Sequence, residues 1–356
     1  MNGPPPPSSW SVEATDAFAR AVGGTVLADP CGPTIAVGAA ALPAGSAVAP
    51  LADLGLVAVG GDESLRFLHA QITNDVEHLV PGVARWGGYC SAKGRLQATF
   101  RYWRDPEAIR LVVARPLAQA LARRLSMFVL RAKARVTDVS DGHALFGLLD
   151  RPAADAAAAA LALQVPGADG ASERAGAHLV GLPPLPGAVE RPRWLLVVPA
   201  SAAAETWAAL ARAAEPLSAL AWRRTEVLAG IPRIVPGTFE QFVPQMINFE
   251  SVDGVNFRKG CYPGQEVVAR SQYLGKLKRR MFVGRGRGAL PAPGDDVVPA
   301  AGGEACGRVV LAAPDGDGGF DLLFESQVAA LEAGPVQVAG AVLEPGSLPY
   351  PLKAID

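Results

Sequence analysis

Residues 87–104 read GGYCSAKGRLQATFRYWR. Ser91-Ala92-Lys93-Gly94 is a turn cluster between two strand-forming runs. After it, Leu96, Ala98, Phe100 and Tyr102 alternate with Gln97, Thr99, Arg101 and Trp103, so the two sets point to opposite faces of one strand. The segment predicts an antiparallel hairpin. Upstream, 54–59 is an apolar run closed by Gly60-Gly61, and Asp62 can cap a helix in which Leu65, Leu68 and Ile72 recur at helical spacing. Downstream, Asp105-Pro106 turns the chain into a strand over 109–114, Pro116 opens a helix to about Met127, and 136–139 begins another extended segment. Strand, helix, two or three strands, helix, strand is the order of a split βαβ unit of ferredoxin-like type.

Beyond this unit, 151–164 is Ala-rich and helical, 165–193 is a Gly- and Pro-rich connection, 194–198 is a strand and 201–213 a helix, which predicts a second small α/β lobe over 151–217. After about Met281 come short β-like runs, 307–312, 320–324 and 336–342, between Gly, Pro and Asp turns; they predict a C-terminal β-barrel over 276–356. Residues 50–150 with 218–275 make the main α/β core. The stretch 1–49 reads as a poorly ordered Pro-, Gly- and Ala-rich lead-in, with a disordered leader MNGPPPPSS and a short helix over 11–22. The fold class is α+β.

Composition narrows the functional classes. The chain has 356 residues, room for two or three domains, and half of them are apolar while 19% are charged, which excludes disorder throughout. With 39 Gly and 31 Pro the elements are short, and a coiled coil is excluded. Lys plus Arg number 33 against 34 Asp plus Glu, so no global field draws the molecule to nucleic acid or anionic lipid. Cys31, Cys90, Cys261 and Cys306 are far apart and form no CxxC pair, which argues against zinc and against a disulfide framework. The histidines His69, His78, His143 and His178 lack metal-ligand spacing. No uncharged apolar run reaches the roughly 18 residues of a membrane span. A soluble, cytoplasmic protein without a membrane partner is expected.

Two features carry chemistry. In Arg258-Lys259-Gly260-Cys261-Tyr262-Pro263-Gly264-Gln265-Glu266 a thiol sits in a turn beside two cations, a setting that favours thiolate; the alternative is a buried cysteine acting as a small hydrophobe. From 258 to 287 there are nine basic residues and one acid, Glu266, with aromatics interleaved, so an anion or a single strand such as tRNA could dock there; a solvated basic hairpin is the alternative. Second, 217–230 reads as a helix with Leu217, Leu220, Val227 and Leu228 on one stripe, and Trp222 with Glu226 on the opposite face. An indole and a carboxylate together suit a flat heterocycle, unless Trp222 packs under a neighbouring domain. Thr73-Asn74-Asp75 and Lys93-Gly94 could offer polar groups to a cleft, or serve as ordinary helix-end and hairpin residues. Gly284 to Gly288 alternates Gly with Arg, but no strand-to-helix transition makes it a dinucleotide loop.

The string KGCYPGQEVVAR resembles the signature of the YgfZ family of folate-binding proteins, relatives of the T-protein (aminomethyltransferase) of the glycine cleavage system. FLHAQITNDV at 67–76, CSAKGRL at 90–96, AGIPRI and QFVPQMINFE within 229–250, and the tail LPYPLKAID extend the resemblance from about residue 50 to the end. It implies a three-domain, ring-like arrangement of two ferredoxin-like α/β parts and a C-terminal barrel around a tetrahydrofolate site. It also implies a role in making or repairing iron–sulfur enzymes as clients, including tRNA-modifying ones. By resemblance, Trp222 and Leu54 fall at folate-contact positions, with Glu226 holding the pteridine and basic residues such as Arg270 meeting the glutamate tail. Cys261 is then a reactive thiol or a transient cluster ligand. The aspartate that aids one-carbon transfer in the aminomethyltransferases falls at Ala98 or Thr99, and the acid before Ala-Gly at Leu228. A folate-dependent one-carbon transferase and a tRNA-binding module remain the rival readings.

Overall fold

A computed structural model describes residues 10–273 and 277–353; the MNGPPPPSS leader lies outside them. The first sheet is five-stranded and antiparallel, in the order Ala84–Cys90, Leu96–Arg104, Ala108–Ala114, Leu54–Gly60, Arg135–Asp138. Helices Ser64–His69 and Arg115–Ser126 cover the face that carries Leu96, Ala98, Phe100 and Tyr102, and together they bury a continuous apolar core. The expected element order is therefore present. One detail differs: the residue before the first helix is Glu63, not Asp62, and its side chain makes no capping bond.

The hairpin alternation predicts two chemically different faces, but neither faces water. Thr99, Arg101 and Trp103 are as buried as their apolar neighbours, because a second sheet lies against them. That sheet is six-stranded, in the order Ala171–Arg174, Ala177–Leu185, Arg191–Pro199, His143–Leu149, Ala47–Pro50, Glu215–Pro216. Its make-up corrects three expectations. Strand His143–Leu149, assigned to the first unit, is central here, because Phe146 and Leu148 bury against helices Arg151–Leu161 and Ala203–Leu210. The 165–193 connection contains two strands; a register shift between Leu182 and Leu185 absorbs Pro183-Pro184, whose missing donors hid the strand in the sequence. The lead-in folds from Trp10 onward: helix Val12–Ala21, capped by Ser11, places Phe18 edge-on to Phe146 at 5.3 Å, and Ala47–Pro50 joins the sheet.

The C-terminal part is a nearly closed seven-stranded antiparallel barrel, in the order Ala341–Val342, Val336–Val338, Asp296–Pro299, Gly307–Pro314, Gly319–Gln327, Arg279–Arg287, Glu344–Pro345. The alternating Gly and Arg run is thus the end of a strand. Helix Ala219–Leu228 lies where the three sheets meet, with Ser218 capping its start. Its Trp222 packs between the two α/β sheets, Val227 packs into the core of the first, and Arg224 donates to Asp321 of the barrel at 2.7 Å. The two-faced reading of this helix fails for that reason. Leu217 precedes the helix and shares a cluster with Trp222, the residue it was expected to oppose.

Candidate functional site

Trp222 is 2% exposed, and it fits because strand His143–Leu149 has a glycine where the indole arrives. A β-carbon on Gly147 would lie 2.4 Å from the ring atoms, so the bare backbone takes one face of the indole. Over the ring, 5.9 Å from its centre, lies the Arg193 guanidinium. The indole is therefore a packed wall of a cavity, with little face left open. That cavity is a lobe of about 50 Å³ lined by Leu54, Thr99, Arg101, Arg193, Trp222, Glu226 and Arg233, among others. It shares Trp86, Arg101 and Ile231 with a larger cavity of about 800 Å³, whose rim includes the exposed Glu190, Asp253 and Arg258.

The walls are unusually charged for so buried a place. Arg101 pairs with Asp169 at 2.6 Å, Arg233 with Asp53 at 2.8 Å, and the neighbouring Arg223 with Asp29 at 2.7 Å. Glu226 lies 3.3 Å from Arg233 without hydrogen-bond alignment, and Glu226 Oε2, Arg233 Nε and Arg101 Nε have no bonding partner among the described residues. Burial pushes the Glu226 carboxyl above its ordinary range, a shift that Arg233 opposes. Thr99 Oγ1 accepts from Ile234 N at 3.0 Å, and Ala98 sits in the core of the first sheet. Neither position at which the resemblance puts the transfer aspartate offers a group that exchanges protons.

The cysteine motif forms a separate structure. Gly264 has φ of +79°, and a β-carbon there would lie 2.4 Å from Ser91 O in the hairpin turn, so the turn 91–94 and the motif interlock backbone to backbone. Lys259 is turned inward: its ammonium donates to His69 O and, at 2.8 Å, to Ile72 O, and lies 4.9 Å from the Tyr262 ring centre. Burial lowers its pKa to about 8, against the pull of Asp75 and Cys261. Cys261 is exposed, whereas Cys31, Cys90 and Cys306 are buried, and burial pushes the Cys31 thiol up to about 12. Gln265, Glu266 and Arg270 belong to helix Gln265–Tyr273, where Glu266 and Arg270 are exposed. Neither Cys261 nor Arg270 is among the wall residues of the two cavity lobes.

Thr73 and Asn74 act as struts. Thr73 Oγ1 donates to Gly254 O at 2.6 Å, and Asn74 Nδ2 donates to Asp253 O at 2.6 Å, which fixes the rim of the larger cavity. The basic stretch, by contrast, is neutralised at three of its arginines. Arg279 pairs with Glu325, Arg280 with Glu250 and Arg285 with Asp321 at 2.8 Å. Lys276 lies outside the described residues. The sequence excess counted only near neighbours, and the compensating acids come from elsewhere in the chain. Sequence reasoning missed Arg101, Arg193 and Arg233 as cavity residues; the one available signal was an arginine inside an apolar strand run, as in RPRWLLVVP.

No group of three or more His, Cys, Asp or Glu side chains that could hold a metal occurs among the described residues, and no helix there is long and apolar enough to cross a membrane. No family model matches the chain. In overall fold the chain resembles the glycine cleavage system aminomethyltransferase T of Bartonella henselae, with a TM-score of 0.68 over 94% of this chain and 96% of that one at 17% identity. Proteins named "tRNA-modifying protein YgfZ" are closer in sequence. That of Vibrio vulnificus (strain CMCP6) is 33% identical over 251 residues, 69% of this chain and 72% of that protein. Those of Colwellia psychrerythraea and Edwardsiella ictaluri are each 30% identical, over 71% and 74% of this chain and 76% and 79% of theirs. By sequence, then, this chain belongs to the YgfZ family.

Proposed function

We propose that the protein binds tetrahydrofolate or a derivative and acts as an accessory factor in assembling or repairing iron–sulfur enzymes, including those that modify tRNA. The observation that carries this reading is one lobe lined by Leu54, Trp222 and Glu226 and adjoining a cavity of about 800 Å³. A pterin needs an apolar slot for its ring and polar partners at its edge. Leu54 and Trp222 supply the slot, and Glu226 Oε2, which makes no hydrogen bond among the described residues, supplies an acceptor, so the residues fit the group. When bound, tetrahydrofolate supplies a carrier for a one-carbon unit. The chain's own residues exclude water from the ring and accept its N–H groups at Glu226. Arg258 at the rim, with no ion pair among the described residues, meets a tail carboxylate.

An accessory role is preferred to one-carbon transfer because Ala98 and the bonded Thr99 stand where a proton-transferring acid would be needed. Direct tRNA docking on the basic stretch is disfavoured by its internal ion pairs. The relatives' name supports the connection to tRNA modification. Cys261, on an exposed loop outside the cavity walls, is the group that faces client or cluster.

Calorimetric titration with tetrahydrofolate tests the pocket. Micromolar binding that falls at least about tenfold in Trp222→Ala is expected. No binding, or unchanged affinity in that variant, sinks the reading. In a deletion strain, Cys261→Ala is expected to bind folate normally yet leave iron–sulfur enzyme activity unrestored. Full restoration would remove the thiol from the proposal.

A further inference from the structure

Once the buried ion pairs around the deep lobe are matched, one arginine remains without a counter-charge. Arg101, Arg223 and Arg233 each hold an aspartate. Arg193, 2% exposed, has no carboxylate within ion-pair distance among the described residues. It donates through Nε to Pro183 O at 2.9 Å and through Nη1 to Thr225 Oγ1 at 2.8 Å, both neutral acceptors. No hydrogen bond engages its second terminal nitrogen among the described residues. Burying a guanidinium without a counter-charge is costly, and burial accordingly lowers its pKa to about 10. Glu226, whose Oε2 makes no hydrogen bond among the described residues but lies 3.3 Å from Arg233 Nε, lines the same lobe without pairing to Arg193.

We propose that Arg193 reads the ring carbonyl of the bound heterocycle, so that the lobe selects a lactam edge, a C=O beside N–H groups. The inference rests on the folate reading and deepens it: Arg193 donates to the 4-oxo group of the pterin, and Glu226 accepts from the adjoining N–H groups. An uncharged ring edge then gives the unpaired guanidinium an acceptor and the Glu226 oxygen a donor at once. The size of the lobe agrees, since about 50 Å³ holds only a few water molecules and admits an edge of a bicyclic ring rather than the whole. The indole geometry agrees as well. With one face of Trp222 against Gly147, stacking alone cannot orient the ring, and hydrogen bonds at the edge must do so.

The experiment compares tetrahydrofolate with its 4-amino analogue, in which the acceptor oxygen is replaced by a donor. Affinities are measured for the wild-type chain and for Arg193→Met. Loss of a hydrogen bond to a charged donor corresponds to about 10- to 100-fold. Arg193→Met is expected to weaken the 4-oxo ligand by that factor and to leave the 4-amino ligand unchanged or tighter. Any attraction of the 4-amino ring to Glu226 is common to both proteins and cancels in the ratio. Thr225→Val, which removes the hydroxyl that aims Nη1 but keeps the charge, should narrow the preference partly, and it covers the case in which Arg193→Met does not fold. Equal weakening of both ligands, or a preference untouched by either variant, overturns the role of Arg193 and leaves folate binding standing. Absence of tetrahydrofolate binding to the wild-type chain overturns the folate reading itself.

Discussion

Around Cys261, the residues that shape the site come from two short stretches, 259–266 and 91–94, whereas the lobe beside Trp222 draws Leu54, Arg101, Arg193 and Glu226 from four elements far apart in the chain. The first is held by backbone interlock and leaves its thiol in water. The second is held by side-chain packing between two sheets. Chemistry and stability are therefore separable at the cysteine and coupled at the cavity. The coupling follows from position, since the lobe is a gap left in an apolar core, and any change to its wall is also a change to that core.

The comparison can be broken most forcefully at Gly147. Gly147→Val drives a side chain into the indole and should cost about 3 kcal/mol, read as a lowered urea midpoint, with folate binding lost together with stability. If stability is unchanged, the indole is not packed as described. Acid attacks the same side of the molecule. His178 Nδ1 accepts from Trp103 Nε1 at 3.2 Å across the two sheets, and burial lowers its pKa from 6.5 to about 4. The unfolded chain therefore binds this proton first as pH falls, so stability declines from pH 6.5 toward 4, by roughly 2 kcal/mol. His178→Gln should flatten that part of the stability profile, and an unchanged slope would assign it to other groups.

Smaller effects sharpen the contrast. Gly264→Ala forces a β-carbon toward Ser91 O at a left-handed residue; a loss of about 2 kcal/mol is expected, with hydrogen exchange faster in 91–94 and 259–266 but not at the cavity. Thr99→Val leaves Ile234 N without its acceptor and should cost about 1 kcal/mol, with a loosening of the lobe wall visible as weaker folate affinity. Cys261→Ser should change stability by less than about 0.5 kcal/mol, because the side chain is exposed. A larger loss would show that the thiol is part of the packing, and the separation drawn here would fail.

The first sheet was legible because its signals are local: the turn 91–94, the alternation over 96–103, and Pro116 opening a helix. The second sheet was not. Its strand Ala177–Leu185 is interrupted by Pro183-Pro184, and its strand Ala47–Pro50 lies inside a stretch rich in Gly, Pro and Ala. Pairing with Arg191–Pro199 and His143–Leu149 overrides those weak local preferences. Trp222 and Glu226 were found as a pair on one helix, but their surroundings were misread, since helical periodicity shows that two faces differ and not how many partners surround them.

The sequence by itself determined the βαββ order of the first unit, the β-rich C-terminal part and the cysteine motif as a turn, because turn residues, period-two alternation and glycine punctuation act between near neighbours. Only the tertiary structure decided that Arg193 is left without a counter-charge beside the lobe that Glu226 lines, while Arg279, Arg280 and Arg285 of the basic run are neutralised. Charge compensation in a folded chain is set by distance in space, and the acids that settle each account are supplied by strands and helices tens to hundreds of residues away.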